Sequence, residues 1–404
     1  MTVSDLEKYT ISRANAAQLE EILELTNECF GKGIPLPLWK DHMGHMLRCT
    51  YTQDGRYIPW VLVKRGEEDG EVYSCVATIR RDAFAKTHGG RVERIHIYGV
   101  KYVMTVKEKR RKGYSQRLLR MLHYLLSPET VVWPESFGPK PRLPEEYAFY
   151  PATASFLTSI APEGFYEACL IGPDEEKRQG WIIHKNAENG DLTWRLPTRD
   201  EADRGDDKRW IWAWVYASEV DEIVPVLSRI ARKKLEDTPV EEGMTVIRPD
   251  PASPGVIPEY VGHHWIAGMR WGRRCIPPKS STIGVRMYPS SSPSSAPKWS
   301  ADQPLVLFTA ATLAETEIAI TLTHDLVAAA IPSLISALAQ LDGESIRAWG
   351  LEPDDAFVEE LVKRGGNYSY RLKAAYPIIP SGVAWYGPKG TNVRIDGLEI
   401  WNMM

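Results

Sequence analysis

The chain has 404 residues, 43% of them hydrophobic, with 14 tryptophans and a formal net charge of −4; this excludes general disorder and leaves no electrostatic footprint for nucleic acid. No segment reaches the length of a membrane span, and Met1 to Lys8 is acidic and polar without the apolar core of a signal peptide. The five cysteines, Cys29, Cys49, Cys75, Cys169 and Cys275, are scattered with no C-x-x-C pair, which speaks against a disulfide framework and a zinc site and points to a reducing, cytoplasmic compartment.

Taken in order, Tyr9 to Ala14 reads as a short strand, and a helix follows with Asn15 as its cap and Leu19, Ile22, Leu23, Leu25 and Phe30 on its apolar side. A second helical stretch, Pro37 to Cys49, carries Leu38, Trp39, Met43, Met46 and Leu47. His42 and His45 lie three apart on it, but no carboxylate or third histidine stands at useful spacing, so no metal site is expected. Ile58 to Lys64 and Tyr73 to Arg80 read as a hairpin joined by the charged turn at 65–70.

Val92 to Val106 then alternates β-branched and aromatic residues, which predicts a long, partly buried strand. From Gln116 to Leu126 the leucines Leu118, Leu119, Leu122, Leu125 and Leu126 fall at helical spacing. Between strand and helix lies a basic loop, Lys107, Lys109, Arg110, Arg111, Lys112, Gly113, Tyr114, Ser115. A strand end, a glycine without Cβ crowding and a helix start with unpaired amides make a cradle for an anion, and a diphosphate suits it.

These residues resemble motif A of the GCN5-related N-acetyltransferases (GNAT), V-x-V followed by [QR]-x-x-G-x-[GA] and a helix. Arg110 and Gly113 match, and Ser115 stands where Gly or Ala is usual. The resemblance implies an α/β (α+β) GNAT fold, a mixed twisted sheet flanked by helices. It implies acetyl-CoA as cosubstrate, with Met104, Thr105 and Val106 offering backbone groups to the pantetheine arm. Arg110, Arg111, Lys112, Gly113, Tyr114 and Ser115 would hold the diphosphate. In such proteins the first helices line the acceptor site.

After the helix, 127–153 is rich in proline, with Trp133, Phe137, Tyr147 and Phe149 interspersed. It reads as an ordered insertion lying over the domain and shaping the acceptor pocket. Ala154 to Ile160 reads as a buried strand and Pro162 to Leu170 as a helix. The GNAT resemblance implies that this strand splays from the long one and that a tyrosine after it, here Tyr166 in Phe165-Tyr166, stands near the coenzyme sulfur. Ser155 to Cys169 is further similar to the S-D-[IV]-G-x-x-F-Y segment of fungal lysine N6-acetyltransferases, departing from it at Ala161 and Pro162.

At about 150 to 200 residues for one such domain, the chain holds a second unit. We expect a catalytic domain over 1–186, a polar linker over 187–208, and a C-terminal domain over 209–404 that is a degenerate GNAT-like copy. That half predicts strands at Trp210 to Tyr216, Trp265 to Trp271, Thr282 to Tyr288, Leu305 to Thr309 and Glu317 to Thr323, and a helix at Ser218 to Lys234. A serine- and proline-rich stretch, Pro289 to Pro297, interrupts them. The end reads helix (Asp325 to Leu341), strand (Ser345 to Gly350), helix (Pro353 to Arg364), then strands at Tyr368 to Ala374 and Val383 to Tyr386. His324-Asp325 stands where the first copy has its basic glycine loop, so a non-catalytic buttress is expected. Val393 to Met404 would add a strand to the core, with Asp396 and Glu399 on the surface.

Attack of an amine on a thioester needs a proton acceptor, alignment, and a proton for the departing thiol. Strand amides around Met104 to Val106 are assigned to alignment, and Tyr166 to the thiol proton. The proton acceptor is left between Glu93, His96 and a water chain. His263 or His264 would reach the pocket from the second half, but not both. The expected partner is a small-molecule amine, with the side-chain amine of free L-lysine suggested by the resemblance. Another amine, or coenzyme binding without transfer, stays open.

Overall fold

The structure, a computed structural model, describes residues 3–31, 33–141, 150–158, 164–170, 180–183, 190–204, 209–257, 282–291, 299–310, 317–341, 343–369, 381–387 and 392–396. The strand expected at Trp265 to Trp271, His263, His264 and Glu399 lie outside these residues.

A one-turn helix α1 (Val3–Leu6) leads into strand β1 (Tyr9–Arg13) and helices α2 (Ala16–Phe30) and α3 (Leu36–Met46). Asn15 caps α2 as expected. Its side chain accepts from the Gln18 amide while Gln18 reaches back to the Asn15 amide, so two otherwise orphaned donors are satisfied. Next come β2 (Tyr57–Lys64), β3 (Ser74–Thr87), β4 (Glu93–Thr105), α4 (Tyr114–Leu126) and β5 (Ala154–Thr158). β1 to β4 pair antiparallel in order, and β5 pairs parallel to β4. Leu118, Leu119, Leu122 and Leu126 of α4 are fully enclosed against Trp60 and Leu62 of β2 and Tyr98 of β4. Each such leucine contributes about 1.5–3 kcal/mol, which fixes α4 on one face of the sheet. On the other face Val61, Val63, Cys75 and Met104 pack against Ile22 and Leu25 of α2.

The remaining elements are β6 (Ile182–Ile183), β7 (Asp191–Arg195), α5 (Arg199–Arg204), β8 (Trp210–Tyr216), α6 (Val220–Asp237), β9 (Met244–Pro249), β10 (Thr282–Pro289), β11 (Leu305–Ala310), β12 (Glu317–His324), α7 (Ile331–Leu338), β13 (Ser345–Trp349), α8 (Ala356–Lys363), β14 (Asn367–Ser369), β15 (Ser381–Trp385) and β16 (Asn392–Ile395). A second sheet runs β14-β7-β13-β12-β11-β10-β8. Within it β12 and β13 are parallel, as β4 and β5 are in the first.

The sequence-based division at 187–208 does not coincide with the sheets. β7, inside the expected linker, pairs with β13 and β14 of the second sheet, because Leu192 and Trp194 alternate with Asp191, Thr193 and Arg195 and bury one face. β9, β15 and β16, from beyond 209, lie in the first sheet. There β9 continues the edge of β3 beyond β2, β15 pairs with β5, and β16 pairs with β9. Helix α6 bridges the two cores, packing Val220, Ile223 and Leu227 against the second sheet and Ala231 and Leu235 against Phe84 of β3 and Val246 of β9.

Two expected helices differ. Within 164–170 the chain forms turns rather than a helix, because Gly164 takes a left-handed φ of 79° inside the expected first turns. The helix expected from Asp325 begins instead as a short 3-10 turn at Ala328–Ala330 and becomes α-helical at Ile331, since Asp325 adopts φ 49°.

Candidate active site

β4 and β5 are joined over only three residue pairs, Ile97 with Ala154, Tyr98 with Ser155 and Gly99 with Phe156. β4 continues to Thr105 and β5 to Thr158. Past Gly99 the two parallel strands part, and the edge of β4 that faced β5 has no strand partner among the described residues. Backbone amides and carbonyls along such an edge need partners.

The opening is sharpened by a bulge. Between the pairs Ala77 with Lys101 and Cys75 with Met104, β4 carries one residue more than β3, and Tyr102 is driven to φ 54°. A bulge bends a strand and raises its twist, and a bulky residue in the left-handed region is strained. Phe30 of α2 packs on the Tyr102 ring, centroids 5.7 Å apart, which helps hold it there.

β4 runs into the basic loop at the open end. Lys107–Lys109 form a 3-10 turn, Arg110 is extended, Arg111 has φ 62°, and Gly113 caps α4 with φ 83°. The Arg117 amide donates to the Gly113 carbonyl at 3.0 Å, which opens the helical ladder, so the amides of Tyr114, Ser115 and Gln116 precede it. Left-handed residues in such a turn aim successive amides to one side and favour an anion-binding concavity. Glycine is favoured at 113 on two counts: its φ disfavours an L side chain, and an added Cβ would stand 3.1 Å from Leu6 Cδ1, which would have to give by a few tenths of an ångström.

The loop's side chains divide into two sets. Arg110 Nε donates to the Thr105 carbonyl at 3.1 Å, closing the loop on its own strand. Lys109 is turned inward, with Nζ 2.6 Å from Glu71, 2.8 Å from the Val72 carbonyl and 4.0 Å from the Tyr73 ring centroid. Arg111 and Lys112 are exposed and supply the cradle's free-standing positive charge. Tyr114 faces inward: it is buried, its hydroxyl is 3.1 Å from that of Tyr9, and burial raises its pKa. It offers the cradle its amide alone. Ser115 is half-buried on the first turn of α4.

The remaining expected residues do not all gather at this opening. His96 precedes the last β4–β5 pair by about 10 Å and Glu93 by about 20 Å at the usual rise per strand residue. Glu93 is exposed, and His96 Nδ1 lies 3.0 Å from Asp82 Oδ1 in a cluster completed by Arg94 and Asp250. Tyr166 is buried on the α4 side of β5, its ring edge-on to Phe165 and Trp181 with centroids 4.9 and 5.9 Å away. The described part of the proline-rich insertion packs against α4. Phe137 is enclosed by Tyr124 and Trp133, and Arg117 donates to the Ser136 carbonyl. It therefore lies on the face opposite α3, while residues 142–149 fall outside the described residues.

On the α3 face a small cavity of about 10 Å³ is lined by Met43, Met46, Leu47, Tyr51, Thr52, Tyr57, Ile79, Lys101 and Tyr102. Lys101 was not singled out in the sequence. Its place one residue before the bulge follows from strand pairing, which a single chain of letters does not display, although a lysine amid Val100, Tyr102 and Val103 was a visible break in an apolar run. Burial among these walls, then the nearby Arg81 guanidinium, push the Lys101 amine down to about 7. His42 is buried and His45 exposed on α3, and no group of three or more potential metal ligands occurs among the described residues.

No protein-family model matches this sequence, and no curated protein does. Solved structures do. A GCN5-related N-acetyltransferase from Kribbella flavida superposes with a TM-score of 0.52 at 11% identity, covering 94% of this chain and 72% of that one. One from Anabaena variabilis gives 0.51 at 11% identity, covering 94% and 73%. At this identity the likeness establishes the fold: the chain has the GNAT fold along most of its length.

Proposed function

We propose that this protein is an acetyl-CoA-dependent N-acetyltransferase acting on the amine of a small molecule. The observation that carries the reading is the coincidence of two features at one place: the gap between β4 and β5 opens next to the loop whose left-handed Gly113 bares the start of α4. A long, thin thioester carrier ending in a diphosphate fits that pair of features. The amides of Tyr114, Ser115 and Gln116 with Arg111 and Lys112 take the diphosphate. The free edge of β4 from Met104 to Val106 takes the pantetheine arm and aligns the thioester carbonyl. Acetyl-coenzyme A supplies an activated acyl group, and the protein's part is to hold, align and move protons.

In this reading the acceptor amine approaches from the α3 face, where the small cavity reaches the bulge, and Tyr166 protonates the departing thiol from the other side. No covalent acyl-enzyme is needed, since the amine attacks directly. Free L-lysine is the first acceptor to test, on the partial likeness of Ser155 to Cys169 to lysine N6-acetyltransferases, and other small amines follow.

The test mixes the purified protein with acetyl-CoA and a panel of amines that includes L-lysine, and follows thiol release. Release with lysine supports the full reading, and release with other amines alone replaces the acceptor. Coenzyme binding without release for any amine would leave a coenzyme-binding protein, and absence of coenzyme binding would refute the site.

A further inference from the structure

We propose that Phe30, at the C-terminal end of α2, is a positioning residue for acyl transfer: it holds the strained Tyr102 bulge of β4 and so sets the course of the strand edge that aligns the thioester. The inference rests on the acyl-transfer reading above, and it gives α2 a part in that site.

The last turn of α2 meets the site at two successive residues. Phe30 lies against the Tyr102 ring, with centroids 5.7 Å apart and planes tilted by 57°. Cys29 Sγ lies 3.9 Å from Arg110 Nη2, and the same guanidinium donates through Nε to the Thr105 carbonyl at 3.1 Å. One contact is made where β4 bulges and the other where β4 gives way to the basic loop. The stretch from Tyr102 to Thr105 is therefore held from α2 at both ends.

The helix is a firm base for this. Asn15 and Gln18 cap its start, and Gln18 Nε2 donates to the Glu68 and Gly70 carbonyls at 3.0 and 2.9 Å. Ile22 and Leu25 are buried against the sheet. Towards the other end Trp39 Nε1 donates to Thr26 Oγ1 at 3.0 Å, and Asn27 Nδ2 to the Ile34 carbonyl at 2.9 Å. These contacts keep α2 in place without Phe30, which is 36% exposed and contributes little to the core.

Tyr102 is where a contact from Phe30 matters. The tyrosine is half-buried and packs beside Leu23 and Met43, yet its φ is 54°, and a bulky residue keeps such a conformation only where its neighbours over-determine it. One aromatic contact and the strain of one left-handed residue are of the same order. Relaxation of Tyr102 moves the extra residue of the bulge along the strand. Successive backbone groups of a strand face opposite ways, so a slip of one residue exchanges which groups of Met104 to Val106 face the gap and which face β3. Alignment of the thioester is then lost, while the diphosphate grip at Gly113 is untouched.

Hydrogen exchange read by mass spectrometry tests the coupling without any need for turnover. In Phe30→Ala the peptide covering Gly99 to Val106 should exchange about 10-fold faster than in wild type, the size of one aromatic contact, while peptides of α4 exchange alike. Equal exchange over 99–106 overturns the proposal. Kinetics with acetyl-CoA and L-lysine, or whichever amine releases thiol fastest, test the function. Phe30→Ala should lower kcat about 10-fold and leave the KM of the amine and the Kd of acetyl-CoA within about 2-fold, and Phe30→Tyr should restore kcat. In a Tyr102→Gly background, where a left-handed φ carries no strain, the same truncation should cost less than about 2-fold. A loss of about 10-fold in both backgrounds means that Phe30 does not act through the bulge, and an unchanged kcat in Phe30→Ala means that it does not act at all; either result overturns the proposal. If wild type neither binds acetyl-CoA nor turns over while exchange over 99–106 still depends on Phe30, the transferase reading has failed and the coupling of α2 to the bulge stands.

Discussion

Gly113→Asp offers the sharpest perturbation of the cradle. Position 113 has φ 83°, with Leu6 Cδ1 3.1 Å from where a Cβ would stand. A left-handed conformation costs a side-chain-bearing residue about 1–2 kcal/mol, and Asp and Asn are the residue types that tolerate it best. The fold should therefore survive either substitution with a similar modest loss of stability. Asn adds bulk alone, while Asp adds a negative charge about 5 Å from the bound diphosphate. At an effective dielectric of about 20, two unit charges at that distance repel by about 3 kcal/mol, equivalent to roughly a 100-fold loss of affinity. Calorimetric titration with coenzyme A should accordingly rank wild type, then Gly113→Asn, then Gly113→Asp with at least a further 30-fold weakening, while thermal melts of the two variants agree. Equal coenzyme affinity for the Asp and Asn variants would refute the claim that an anion sits on these amides.

Arg111→Gln and Lys112→Gln should each weaken coenzyme binding several-fold and flatten its dependence on salt, measured as Kd against NaCl concentration, because both are exposed charges. Tyr166→Phe should lower kcat about 10- to 100-fold with unchanged coenzyme affinity in steady-state kinetics, as loss of a proton donor does; an unchanged kcat removes Tyr166 from the chemistry. Tyr386→Phe deletes a hydroxyl lying 2.8 Å from both His123 Nδ1 and Ser155 Oγ, which should destabilise the protein by about 1–3 kcal/mol in urea unfolding. Lys101 is neutral in the folded chain above about 7 but protonated in the unfolded chain up to about 10. The unfolded state binds the extra proton between these values, so stability should rise with pH across that window, and Lys101→Met should abolish that part of the rise in urea melts from pH 7 to 10.

What was legible in the sequence is what is local. The Asn15 cap, the alternation along β4 and the leucine stripe of α4 each state their structure through spacing, and Gly113 announced a turn that only glycine makes easily. Long-range pairing was not legible. β15 read as an ordinary strand of a second half and β9 was not singled out at all, yet both complete the first sheet, because register and partner are set by which faces must be covered. Glu93 and His96 drew attention as titratable groups on the right strand, but only the three-residue length of the β4–β5 ladder shows which end of that strand is open. Arg110, with Gly113, carried the motif and Tyr114 was expected beside them at the diphosphate; in the structure the Arg110 side chain clamps Thr105 and that of Tyr114 is buried against Tyr9.

The second half repeats the parallel pair and its connecting helix without the cradle. Where the first half has its basic loop, the second has Thr323, His324 and Asp325, with His324 Nε2 engaged by the Ala301 carbonyl at 2.8 Å. Pro332, in the first turn of α7, removes an amide that a phosphate would use. A carboxylate and a missing donor oppose anion binding at this turn, and strands from this half also complete the first sheet. β5 is held to β4 by three residue pairs on one edge and to β15 by five on the other. The buried polar chain from Trp181 through Ser155 and Tyr386 to His123 fixes the same strand, with the indole donating to Ser155 Oγ at 3.1 Å and burial pushing His123 down to about 3, a neutral imidazole. Each of these groups left unpaired would cost about 1–3 kcal/mol. The strand that forms one wall of the gap is thus positioned chiefly from the C-terminal side, and the width of the opening beside Lys101 depends on residues nearly 300 positions further along the chain.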